Sequence, residues 1–217
     1  MLDVYVALGS KLSSGGGSRQ SEMIRAVEAY RHPLYRFSSE LLSVTHDVAI
    51  LKLQTPSKIH PARLVSADGS DIKPGMIATT LGWGLLKDNA GFSNFLQTVD
   101  LEIVTNKKCT KMYADADDNT IVDDSVICAG TGSGKGSCGG NAGGPLLLND
   151  VVIGIKSAGP DKCGDLPGPF ARVSEVVEFM KDIQLGGSAG NVTELLNSGT
   201  DTLTTAVIEY YRFSGSK

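Results

Sequence analysis

The stretch Gly134-Lys135-Gly136-Ser137-Cys138-Gly139-Gly140-Asn141-Ala142-Gly143-Gly144-Pro145 runs straight into Leu146-Leu147-Leu148. A glycine-dense segment closed by proline reads as a loop, and the apolar run after it reads as a strand. Val151-Val152-Ile153 follows after Asn149-Asp150, two residues that tolerate the backbone of a tight turn, so the pair of runs is predicted to be a β-hairpin.

Working outward, the same period-two pattern recurs. Val4, Val6 and Leu8 alternate with other residues, and Val99, Leu101 and Ile103 are set against Asp100 and Glu102, as half-buried strands require. Further runs at Val48–Leu53 and Ile77–Leu81, with turns such as Lys73-Pro74-Gly75 between runs, predict an all-β sandwich or barrel. One helix is expected late, capped by Ser174, with Val176, Phe179, Met180 and Ile183 at helical spacing and an end before Gly186-Gly187. From there to Lys217 the chain is first rich in Gly, Ser, Asn and Thr, then β-prone at Ala206–Tyr211. An appended tail and an ordered extra strand both fit that pattern.

Composition narrows the function classes. Of 217 residues, 20 are Lys or Arg and 24 Asp or Glu, a net charge of −4, which leaves no basic footprint for phosphate backbones or anionic membranes. No apolar run approaches the ~18 residues that span a bilayer, and Met1-Leu2-Asp3 opens without the basic and apolar segments of a secretory leader. Cys109, Cys128, Cys138 and Cys163 contain no C-x-x-C pair, so neither a metal site nor any other cofactor is expected, and an even count suggests disulfides formed in an oxidising compartment. The residues alone leave all three pairings open. They also leave a tension with the missing leader, resolved either by an incomplete N-terminus or by free thiols.

The Gly134–Pro145 stretch resembles the nucleophile loop of trypsin-like serine proteases, which reads Gly-Asp-Ser-Gly-Gly-Pro at its centre. His46-Asp47-Val48-Ala49-Ile50-Leu51, Gly82-Trp83-Gly84, Val126-Ile127-Cys128-Ala129-Gly130 and Phe170-Ala171-Arg172-Val173 fall in that family's chain order, and the resemblance covers Val4 to Gln184. It implies a double six-stranded barrel with a C-terminal helix, residues 1–184, the N-terminal barrel being truncated, followed by a tail, 185–217.

Such a protease needs an attacking hydroxyl, an imidazole to take its proton and a carboxylate to orient that imidazole. The nucleophile position is Ala142, whose methyl group cannot attack, a loss on the order of 10⁶-fold by itself. Asn141 stands where the family has the aspartate that pairs with the amino-terminus freed on activation. Asp47 matches the triad aspartate, but no Ala-Ala-His-Cys segment precedes it. His46 is read as a strand neighbour of Asp47 facing the other way, while His32 and His60 each precede proline, and all three are expected to be ordinary packing or surface residues. Gly136, at the base of the specificity pocket, lacks the aspartate of trypsins; Ser157 and Gly159 are further pocket remnants, flanking Ala158 where tryptophan is usual, with Lys156 intruding beside them. Gly140 and Ala142 retain the backbone N–H groups of an oxyanion hole. The resemblance also implies the pairs Cys109–Cys128 and Cys138–Cys163, and with them a secreted protein whose leader lies upstream. Asn191-Val192-Thr193 is a glycosylation sequon.

The expectation is therefore a secreted, catalytically inactive homologue that acts by binding protein. Its degenerate Asn141-Ala142 pair and the run from Pro56 to Met76 are most similar to the glucanase inhibitor proteins of plant-pathogenic oomycetes, which block host endo-β-1,3-glucanases. That resemblance implies a secreted host hydrolase as partner and a role in suppressing plant defence, with no nucleic acid and no membrane span. A non-inhibitory adhesive or adaptor homologue and a decayed serine endopeptidase are the alternatives. Open edges in a truncated barrel also predict poor stability unless upstream sequence completes it.

Overall fold

The computed structural model describes residues 4–38, 43–88, 90–118, 120–160 and 162–198. In the N-terminal half, β1 (Tyr5–Leu8) and the long β2 (Glu22–Arg31) pair antiparallel, β3 (Arg36–Ser38) and β4 (Ser43–Thr45) make a separate hairpin, and β5 (Ala49–Leu53) joins the far side of β2. The order β1-β2-β5 leaves β1 and β5 as edges of an open sheet, the truncated first barrel that the sequence implies. Residues Ala26 and Ala29 of β2 are buried with Leu51 of β5 and Val4 and Val6 packed around them.

A short β6 (Arg63–Leu64) leads into the second half, where β7 (Ile77–Gly82), β8 (Gln97–Val104), β9 (Val126–Ala129), β10 (Pro145–Leu148), β11 (Val151–Lys156) and β12 (Gly168–Arg172) follow. Their neighbour order, β10-β7-β8-β9-β12-β11, closes because β10 also pairs with β11, giving a six-stranded barrel with β6 added in parallel to β11. The alternation read in the sequence is what fills it: Leu101 and Ile103 of β8 are 2% exposed and pack with Ile127, Leu146, Ile153 and Phe170. Each such side chain contributes about 1.5–3 kcal/mol by leaving water. The β10–β11 hairpin turns at Asn149 and Asp150, both at positive φ of 51° and 61°, the mirror-image turn that suits the twist of paired strands.

Two helices flank the barrel. Helix α1 (Asn106–Asp115), absent from the sequence expectation, starts where the Thr105 side chain accepts a hydrogen bond from the Lys108 N–H, and it buries Cys109 and Tyr113, one turn apart. The late helix is α2 (Val177–Gln184) and opens differently from expectation: a 3₁₀ turn over Val173–Glu175 precedes it, so Ser174 is buried within that turn rather than capping the helix. Phe179 lies on its buried face, as the spacing predicts.

The expected tail divides. Past α2 the chain returns to β2: the Arg31 N–H donates to the Gly190 carbonyl at 2.8 Å, the Ala29 N–H donates to the Thr193 hydroxyl at 3.1 Å, and Leu196 of the short α3 (Leu195–Ser198) is buried against Ala26 and Ala29. Residues 190–196 thus belong to the folded body, because they cover the apolar alanine face of β2. The β-prone segment Ala206–Tyr211 lies outside the described residues. Both expected disulfides are present, Cys109–Cys128 tying α1 to β9 and Cys138–Cys163 tying the glycine-rich loop to the segment before β12. Among the described residues no helix is long and apolar enough to cross a membrane.

Candidate functional site

The glycine-rich loop, the end of β11 and the connection before β5 meet at the candidate site. Asp47 sits on that connection and accepts a hydrogen bond from the Ser157 hydroxyl at 2.6 Å, across 110 positions of sequence. Burial pushes the Asp47 carboxyl up from its ordinary value, while the Ser157 bond and the nearby Lys156 oppose that rise.

His46 is not on a strand, contrary to the sequence expectation. It occupies the link between β4 and β5 at a φ of 50°, where the chain turns sharply enough to break the alternation assumed for it. Its ring stacks on His32 at 4.9 Å, and His32 in turn meets the edge of Phe179 at 4.9 Å. His32 is buried and accepts from the Leu34 N–H through Nδ1, with burial lowering its pKa, whereas His60 is exposed. Among the described residues no histidine hydrogen-bonds to Asp47.

Asn141 is embedded in the loop. Its Oδ1 accepts from the Gly84 N–H at 2.9 Å and its Nδ2 donates to the Cys138 carbonyl at 3.1 Å. Gly82 and Gly84 make room for it, since a Cβ on either would overlap the amide. An amide supplies both donor and acceptor here, whereas an aspartate can only accept. Beside it opens a cavity of about 360 Å³, lined by Gly84 to Asp88, Gln97 to Val99 and the Gly134–Cys138 arm.

Ala142 follows on the turn, held by the Gly143 N–H donating to the Lys156 carbonyl at 2.6 Å and the Gly144 N–H donating to the Asn141 carbonyl at 2.9 Å. Gly140 adopts a φ of 80°, and the Phe92 ring lies against it, a Cβ there falling 2.5 Å from Phe92 Cε1. Both facts demand glycine at this position. The ring therefore sits directly on one of the two backbone positions that the resemblance assigns to an oxyanion hole. Nothing in the sequence marked Phe92, which reaches the loop because Leu85 and Phe92 form a β-bridge within their own connection.

Around the remnants of the specificity pocket, Gly136 packs against Gly164, with a Cβ on Gly136 only 2.7 Å from the Gly164 backbone, and the Gly134 N–H donates to the Gly164 carbonyl at 3.0 Å. Lys156 is 4% exposed; its ammonium donates to the Ala158 carbonyl at 2.5 Å and the Pro169 carbonyl at 3.3 Å and lies 5.3 Å from the centre of the Phe170 ring. Burial pushes it down to about 7, against the pull of the Asp47 carboxylate. Ser157 is buried behind it. Asn191 is exposed, its Oδ1 accepting from the Thr193 N–H at 2.9 Å.

A closed β-barrel beside a second, open sheet, with a half-buried aspartate bonded to a serine between them and a glycine-rich loop pinned by a disulfide, is the framework of a serine protease homologue. The chain belongs to the trypsin family, whose Trypsin model matches residues 3–180. It is 35% identical over 192 residues to glucanase inhibitor protein 2 of Phytophthora infestans, an alignment covering 84% of this chain and 70% of that protein. Glucanase inhibitor protein 4 of the same organism is 36% identical over 169 residues, covering 74% of this chain and 62% of that protein. The chain thus spans 62–70% of the length of these two relatives. Human kallikrein-8 is 30% identical over 167 residues, covering 74% of this chain and 61% of that protein. Among solved structures, neuropsin, a serine protease expressed in the limbic system of mouse brain, superposes with a TM-score of 0.70 at 25% identity, covering 83% of this chain and 78% of that one.

Proposed function

We propose that this chain is a secreted, non-catalytic serine protease homologue that binds and inhibits another secreted hydrolase, with a host endo-β-1,3-glucanase as its partner and suppression of plant defence as its role. The observation that carries the reading is Ala142: the nucleophile position holds a methyl group in a scaffold that still carries Asp47 at the position matching the triad aspartate. Homology to the glucanase inhibitor proteins supports the choice of partner. The two disulfides support passage through an oxidising compartment, and the exposed sequon at Asn191 is assigned an N-linked glycan on the same grounds.

Inhibition here needs no chemistry. A stable complex buries about 1,200–2,000 Å² in total, enough to cover a hydrolase's own cleft. Next to the degenerate loop the connection between β7 and β8 exposes Leu86 (60%), Phe92 (50%) and Phe95 (66%), the apolar and aromatic side chains that anchor interfaces. We assign the contact to this rim. Co-migration with a purified plant endo-β-1,3-glucanase on size exclusion, at micromolar protein, tests the pairing; separate elution at every ratio would remove the glucanase as partner.

A further inference from the structure

Lys156 ends β11 on the same strand face as Gly154, where a Cβ would run into Phe170, Ile127 and Leu146. That face points into packed protein, so the lysine side chain has no course to solvent. Instead it turns along the ends of β11 and β12. Two glycines bracket its tip: a Cβ on Gly159 would stand 2.9 Å from Nζ, and one on Gly168 would stand 3.3 Å away. The carbonyls of Ala158 and Pro169 accept hydrogen bonds from Nζ, and the Phe170 ring lies beside it. The room left by bare glycines in two strand-end segments is therefore occupied by this chain's own alkyl-ammonium. On the opposite arm, Gly134 and Gly136 are closed onto Gly164.

We propose that Lys156 is an internal plug: its side chain fills the side-chain pocket between residues 157–159 and 168–170, so that this pocket admits no group from a ligand. The inference rests on the family assignment and not on inhibition of a glucanase, so either can fail without the other. It makes Lys156 a second barrier to substrate handling, at the level of binding, beside the missing hydroxyl at Ala142. A ligand side chain would have to expel a buried, twice hydrogen-bonded lysine, and each bond to such a charged donor is worth more than a neutral one.

The test uses indole, a neutral aromatic sized for a small dry cavity, against the full chain. The cavity of about 360 Å³ beside Asn141 is common to wild type and variants, so any indole it takes is the wild-type baseline. Lys156→Ala is expected to gain one further site by calorimetry, at least about tenfold tighter than any wild-type binding, and Lys156→Met, which keeps the length without the charge, to gain none. Equal binding by wild type and Lys156→Ala, or none by a folded Lys156→Ala, overturns the proposal. Should Lys156→Ala not fold, reductive methylation of the wild-type protein decides. Lys52 and Lys181, whose side chains are 61% and 56% exposed, should be methylated while Lys156 is spared until the protein is unfolded. Methylation of Lys156 at the rate of those two in the native state would show that the pocket stands open.

Discussion

The Ser157 hydroxyl reaches the Asp47 carboxylate at 2.6 Å from the end of β11, joining the open N-terminal sheet to the closed barrel. Among the described residues no histidine hydrogen-bonds to Asp47, and the Ser157 hydroxyl and the nearby Lys156 are what favour its charged form. Its folded pKa is raised, chiefly by burial. A carboxyl raised in the folded state contributes stability below its unfolded value near 4, and that contribution is lost as pH rises through the folded value. Asp47→Asn, which still accepts from Ser157, should therefore be more stable than wild type at pH 7, the gain vanishing toward pH 4. Urea denaturation at the two pH values measures the difference, and a loss of stability at pH 7 would contradict it.

Lys156 gives the opposite window. Its pKa falls from an ordinary 10.5 to about 7 in the folded protein. Between those values the unfolded chain binds the extra proton, so stability should climb as pH rises through that interval, by at most about 1.4 kcal/mol per unit, and flatten below 7. Asp47 is the charged group opposing this shift. Lys156→Met should remove the slope, which denaturation across the alkaline range reads directly.

Asn141→Ala deletes the acceptor for the Gly84 N–H and the donor to the Cys138 carbonyl. The expected cost is about 2 kcal/mol. Asn141→Asp should cost as much, because its carboxylate would face the Cys138 carbonyl without a proton to give. Chemical denaturation of both variants checks the pair.

Phe95→Ala removes a side chain 66% exposed, so the thermal midpoint should hardly move. If the rim makes the contact, affinity for the glucanase should fall by about tenfold or more. Surface-immobilised binding would show this, and unchanged affinity would move the interface elsewhere.

Much of the barrel was legible because half-buried strands alternate, as Val99 to Ile103 do, and because Asn149-Asp150 tolerate positive φ. Helix α1 was missed since its buried pair, Cys109 and Tyr113, is a narrow stripe among Lys, Asn and Thr, although Thr105 and the four-residue spacing were available as signals. The reach of β2 was hidden by Glu22, Arg25 and Glu28, which interrupt its apolar residues without interrupting the strand. At the candidate site, residue identities spoke to the chemistry at Ala142 and Asn141. They could not show that Lys156 turns inward, because a lysine on an alternating strand is expected to face water, and only the register opposite Phe170 places it inside. His46 failed for a related reason: a single left-handed residue cancels the alternation that the reading assumed.

The central claim is inhibition by binding, and the most direct measurement is a titration of the secreted protein against a plant endo-β-1,3-glucanase, following reducing sugar released from laminarin. The account predicts a linear fall in rate to a one-to-one equivalence point, with no cleavage of the glucanase. An unchanged rate at large molar excess would contradict it.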